Sequence, residues 1–157
     1  MTSSNNEQQA PNAKIPSPTY LFSASVSLGQ TVGPIPLLEG GTRYVEPIVG
    51  GTISGPSFTG TIDGGFAAPI HIGNTHDSNE AKAKLTFVYA YGHASDGSPF
   101  YMEESGVGLT EIQNTRLKLM VGGQYEDLQK TYILAQPSLS ADRPMATVDC
   151  YSIPLPT

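Results

Sequence analysis

The chain has 157 residues, a length at which one domain can bury a core without disulfides or metals to staple it. Charged residues make up only 14% of it, beside 17 glycines and 13 prolines, a composition that favours short strands and turns over long helices. The formal net charge is −6 and no run of Lys or Arg occurs, so nucleic acid and anionic membranes are not expected partners.

The single cysteine, Cys150, can form no internal disulfide, and no basic-then-apolar leader opens the sequence; a cytoplasmic location is expected. The apolar runs fall far short of the roughly 20 residues that a membrane helix needs.

Residues 1–18 are rich in Ser, Asn, Gln and Pro and read as a flexible tail ahead of one domain spanning 19–157. At residues 20–28, Tyr20, Phe22, Ala24, Val26 and Leu28 alternate with Leu21 and three serines, the period of a half-buried strand. Gly33, Pro34, Pro36, Gly40 and Gly41 mark a loop, and a strand follows over 43–54. Glycines at 50, 51, 55, 60, 64 and 65 among β-branched residues suggest bulges or barrel corners.

Residues 74–80 read as an exposed turn, and 82–94 as a long strand with Leu85, Phe87, Tyr89, Tyr91 and His93 on one face. Ser95-Asp96-Gly97-Ser98 is a hairpin turn into a strand at 100–104. Further strands are expected at 115–121, 130–136 and 145–153, with a short helix only at 125–130. Seven or eight short strands joined by turns point to an all-β antiparallel barrel or sandwich.

The segment Arg43-Tyr44-Val45-Glu46-Pro47-Ile48-Val49-Gly50-Gly51-Thr52-Ile53-Ser54-Gly55-Pro56, onward through Gly60 to Gly64-Gly65, resembles the family called domain of unknown function 3237. The resemblance continues at Asp96-Gly97 through Tyr101 to Gly106, and at 125–134, and covers most of 20–153. The family places a small residue, Asp and an aromatic after its second glycine pair; here Phe66-Ala67-Ala68 follow. The resemblance implies a calycin-like or allene-oxide-cyclase-like barrel with a ligand-sized interior. It also implies, through fungal relatives in natural-product pathways, ring-forming tailoring chemistry.

No Walker loop, HExxH, CxxC, nucleophile elbow or dinucleotide-binding glycine motif occurs, so no cofactor is expected. His71, His76 and His93 could in principle gather at a metal, but only the first two are close in sequence and His76 lies in the polar turn at 74–78, so no metal is expected. His93, beside Tyr89 and Tyr91, is a candidate acid or base, or else an exposed strand-end histidine. Glu46 faces opposite to Val45, Pro47 and Val49, which puts it in a lumen, where burial suits it to proton transfer, or in solvent. Tyr101 and Glu103 share a polar and aromatic face opposite the mainly apolar face of Phe100, Met102 and Glu104, and either face could line a pocket. Arg43 and Arg116 can hold an enolate, phenolate or carboxylate, or form surface ion pairs. Tyr89, Tyr91 and Tyr132, with Phe66, suit a flat aromatic ligand or ordinary packing. Cys150 reads as an inert buried thiol.

The expected activity is cofactor-independent cyclisation or isomerisation of an aromatic or polyketide-like small molecule, such as intramolecular hydroalkoxylation. Glu46, His93, Tyr101, Glu103 and Arg43 are its candidate catalytic residues, and Tyr89, Tyr91, Arg116, Tyr132 and Phe66 its binding residues. The alternatives are a non-catalytic small-molecule carrier and a homo-oligomer built through an edge strand.

Overall fold

The computed structural model of the chain describes residues 14, 16–73, 83–140 and 144–156. The expected tail at 1–18, the turn at 74–80 and His76 fall wholly or largely outside these residues. Among the described residues ten strands form: β1 Thr19–Leu28, β2 Val32–Pro36, β3 Thr42–Ser54, β4 Gly60–Ala67, β5 Ile70–Ile72, β6 Ala83–Ala94, β7 Pro99–Gly108, β8 Gln113–Val121, β9 Ile133–Leu139 and β10 Met145–Ser152. One 3-10 helix, Gly123–Lys130, links β8 to β9.

The strands run β1-β10-β9-β8-β7-β6-β4-β3, and β3 pairs back onto β1 to close an antiparallel barrel of eight strands. Closure leaves no free edge in the main wall. β2 lies against β3, and β5 continues the line of β4 after a break at the buried Pro69, bridging β3 and β6. The break falls where the ladder can spare a donor, since proline has none. β2 and β5 are additions to the expected strands, because Pro34, Pro36 and Pro69 make these short segments read as loop.

The wall bends at irregularities between Ser27 and Leu28 and between Ile62 and Gly64, inside or beside the glycine-rich stretch. Gly92 lets β6 lie close to β4: a Cβ there would collide with the Thr61 carbonyl and stand 2.9 Å from the Phe100 ring. The Asp96-Gly97 turn joins β6 and β7 as expected, with Gly97 at φ +89°. Asp96 accepts hydrogen bonds from the backbone amides of Ser98 (2.9 Å) and Gln124 (3.2 Å), tying this hairpin to the 3-10 helix.

Alternation sorts each strand into an inner and an outer set. Along β6 the inward residues are Lys84, Thr86, Val88, Ala90, Gly92 and Ala94, while Leu85, Phe87, Tyr89, Tyr91 and His93 point out. Along β7 Phe100, Met102 and Glu104 point in, and along β8 Gln113, Thr115, Leu117, Leu119 and Val121 do. One end is closed by aromatic packing: Phe58, on the loop from β3 to β4, lies 5.4 Å from Phe22, 5.5 Å from Phe100 and 4.9 Å from Tyr125 of the 3-10 helix, between ring centroids. The other end is open.

Candidate active site: a half-polar barrel lumen

A cavity runs from Phe22, Ala90 and Met102 at mid-barrel to Leu28, Glu46, Lys84, Gln113 and Leu139 at the open end. The empty space out to the mouth is about 780 Å³, within which the centres of water-sized spheres range over about 70 Å³. That is room for several waters or a slim ligand. The inner wall, from Phe22, Ala24, Val26 and Ile48 to Val148, is apolar.

Polar groups gather toward the open end. Glu104 is 6% exposed, and burial pushes its carboxyl up to about 7 against the opposing effect of its hydrogen bond with Thr115. Thr115 Oγ1 lies 2.7 Å from Glu104 Oε1 and 3.2 Å from the Ala135 carbonyl oxygen. A hydroxyl has one hydrogen, so Thr115 cannot fully satisfy both acceptors while Glu104 is ionised. A neutral Glu104 resolves this by donating to Thr115 Oγ1, which frees the hydroxyl hydrogen for Ala135.

Nearer the mouth, Thr86 Oγ1 donates to Gln113 Oε1 at 3.4 Å, and the Gln113 amide donates to the carbonyls of Leu109 (2.7 Å) and Thr110 (3.1 Å). Gln113 thus pins the β7–β8 loop at the rim. Lys84 is 5% exposed; burial lowers its ammonium pKa, and the Glu46 carboxylate partly restores it. His71 is paired in register with Lys84 and packs on Tyr44 at 4.9 Å, so it lies on the lumen side of β5. Its pKa is lowered by burial and, second, by the charge of Lys84. Cys150 also lines the lumen, and burial drives its thiol far above the ordinary value, in keeping with an inert group.

Of the candidate catalytic and binding residues singled out in the sequence, Glu46 lines this lumen. The others stand on the outer wall or its rim. His93 Nδ1 is 2.6 Å from Asp63 Oδ2 on the exposed face of β6 and β4. The Tyr101 hydroxyl donates to Glu103 at 3.0 Å on the outside of β7. Arg43 points away from Glu46, its guanidinium 5.3 Å from the Phe87 ring centroid, and Arg116 lies 4.7 Å from the ring centroid of Tyr132. Phe66, Tyr89, Tyr91 and Tyr101 line a shallow outer depression instead of enclosing the lumen. Lys84 and Thr115 escape a reading of the sequence, which weighs His71 only as a metal ligand and lets the Phe100-Met102-Glu104 face line a pocket without giving Glu104 a role. The signal for Lys84 and Glu104 is a polar residue ending an apolar, same-face run: Lys84 before Thr86-Val88-Ala90, and Glu104 after Phe100-Met102. Among the described residues no group of His, Cys, Asp and Glu is arranged to hold a metal, and no helix is long and apolar enough to cross a membrane.

Because Glu104 binds its proton more tightly in the folded chain than a free glutamate does, it favours folding fully below about pH 4.5. That contribution is lost as pH rises through about 7. The loss amounts to about 3 kcal/mol at most. The Tm difference between the wild type and Glu104→Gln, which stays neutral, is therefore expected to shift in favour of the variant between pH 5 and pH 8. A pH-independent difference in thermal melts would refute it.

No family model matches the chain, and no curated protein does. Solved structures do match in fold. A beta-barrel-like protein from Acinetobacter baumannii AYE is 16% identical with a TM-score of 0.74, covering 93% of this chain and 100% of that one. A protein of unknown function from Clostridium acetobutylicum ATCC 824 is 15% identical with a TM-score of 0.74, covering 88% and 100%. An enzyme from the fungus Penicillium herquei is 18% identical with a TM-score of 0.69, covering 93% and 100%. The chain shares its barrel fold with these proteins.

Proposed function

We propose that the chain is a cofactor-independent cyclase or isomerase that closes a ring on an aromatic or polyketide-like small molecule inside the lumen. The observation that carries this reading is a pair of carboxyls on one cavity in different settings. Glu104 is deep and titrates near neutrality, while Glu46 is at the more open mouth. Such a division assigns the acid to Glu104 and the base to Glu46. The resemblance to domain of unknown function 3237 and the fold shared with a fungal enzyme support the same reading.

In the ring closure, Glu46 takes the proton of a substrate hydroxyl as its oxygen adds to an alkene or enone carbon. Glu104 delivers a proton to the neighbouring carbon or to the enone oxygen. One C–O and one new bond to hydrogen form, nothing is lost, and the mass is unchanged. The two carboxyls then reset by proton exchange through the mouth. The apolar wall supplies orientation by holding the substrate folded with the reacting atoms close.

The test is incubation of purified protein, with no cofactor added, with metabolite extract from a strain lacking the gene. Mass spectrometry and chiral chromatography are expected to find a product of unchanged mass or altered enantiomeric ratio. The largely apolar wall also fits a carrier. A compound retained by the protein but chemically unchanged would establish that reading and overturn ring closure.

A further inference from the structure

Lys84 is 5% exposed and lines the lumen, where the Glu46 carboxylate is the charge that acts on its ammonium. Its neighbours across the sheet are His71 on β5 and Gly108 on β7, and it lines the lumen together with Glu46 and Thr86. Such a lysine braces no loop and caps no strand, so the architecture of the barrel does not account for it. Nor does the lumen suit it as an anion anchor. Glu46 already offsets its charge, and Glu104 lies farther in, so an anionic ligand meets no net positive field.

An apolar cavity does favour a different use of this lysine. Burial disfavours its ammonium form relative to the neutral amine, because low-dielectric surroundings solvate a charge less well than water does. His71, whose own pKa is lowered, stays neutral at the same place and adds no competing charge. The result is a primary amine that gives up its proton more readily than a surface lysine does, on the path by which a ligand enters.

We propose that Lys84 is an imine-forming amine that captures the carbonyl of an aldehyde or ketone entering the lumen. The inference rests on the lumen being the ligand site and deepens that reading by naming a carbonyl compound as the substrate class. Nζ adds to the carbonyl carbon to give a carbinolamine. The proton that the ammonium gives up before the attack returns, through water at the mouth, to the hydroxyl, which leaves as water, and a C=N bond replaces C=O with no change of oxidation state. On an enone, the resulting iminium draws electrons from the alkene and speeds addition of the internal oxygen. Hydrolysis then returns the carbonyl, so the overall mass is unchanged.

The experiment is reductive trapping of the full chain with benzaldehyde and sodium cyanoborohydride at neutral pH, followed by peptide mass mapping. Lys118 and Lys130 are exposed and serve as internal references. Lys84 is expected to gain the benzyl group about tenfold faster than either, because surface ammonium groups stay protonated. Labelling no faster than at the two references overturns the proposal. Lys84→Arg, which keeps the charge, is expected to melt like the wild type and lose the fast label; should it fail to fold, the wild-type map still decides. A cyclised product without fast labelling of Lys84 removes this inference and leaves ring closure standing. Fast labelling with no product from any extract does the reverse.

Discussion

Glu104→Gln is expected to lower the turnover of the ring-closing reaction by roughly a hundred- to ten-thousand-fold, with the barrel intact. The substitution keeps the shape of the side chain and a donor for Thr115 Oγ1, so the hydrogen bond on to Ala135 survives. It removes only the transferable proton. The expected pattern is a fall in kcat with little change in KM, since the apolar wall that binds the substrate is untouched. The wild type should lose activity as pH rises through about 7, when Glu104 ionises and can no longer act as the acid, whereas the residual activity of the variant should lack that limb. His93→Ala is the control: its hydrogen-bond contact with Asp63 is on the outer face, and turnover should stay within about twofold of wild type, as for most exposed positions. Full turnover in Glu104→Gln would remove Glu104 from the mechanism.

The strands of the barrel are largely legible in the sequence because alternation and turn residues are local signals. Tyr20 through Leu28, the Asp96-Gly97 hairpin and the single short helix after Gly123 all appear where the pattern places them. The side of the wall that faces in is harder to read. Leu85, Phe87, Tyr89 and Tyr91 are bulkier than Val88, Ala90, Gly92 and Ala94, and bulk suggests a ligand-enclosing face. A closed barrel of eight strands has little interior room, however, so the small residues go inside, where Phe100 and Phe58 fill the space they leave. The tyrosines are left outside with their hydroxyls in water. Glu46 is legible because its own strand has the opposite pattern, with Val45, Pro47 and Val49 facing away from the lumen. Lys84 is not, and Glu104 is legible only as part of a face that could line a pocket, since a charged residue at the end of an apolar run ordinarily marks where a strand emerges into solvent. Only the pairing of Lys84 with His71 and of Glu104 with Val88 and Leu117 shows that both remain inside.

Phe58→Ala is expected to cost roughly 3–5 kcal/mol of stability, the range for removing a fully buried aromatic ring. The ring is 1% exposed and touches the first strand, the β6–β7 side of the barrel and the 3-10 helix at once, through Phe22, Phe100 and Tyr125. Its removal therefore leaves a void whose walls belong to three elements, and collapse of one of them opens gaps against the others. For a domain of this size the loss corresponds to a Tm lower by roughly 6–20 °C. The Phe58 loop is held independently by the Ser57 amide donating to the Leu21 carbonyl at 3.0 Å, so the variant should fold and melt cooperatively at the lower temperature. Phe58→Leu, which keeps most of the volume, should recover more than half of the loss. The closed end is also what makes the lumen blind, so that a ligand enters past Lys84 and Glu46 before it reaches Glu104. A Phe58→Ala protein that melts within about 2 °C of wild type would show that the ring is not the closure of that end, and the single-entrance geometry on which the acid and base assignments depend would fall with it.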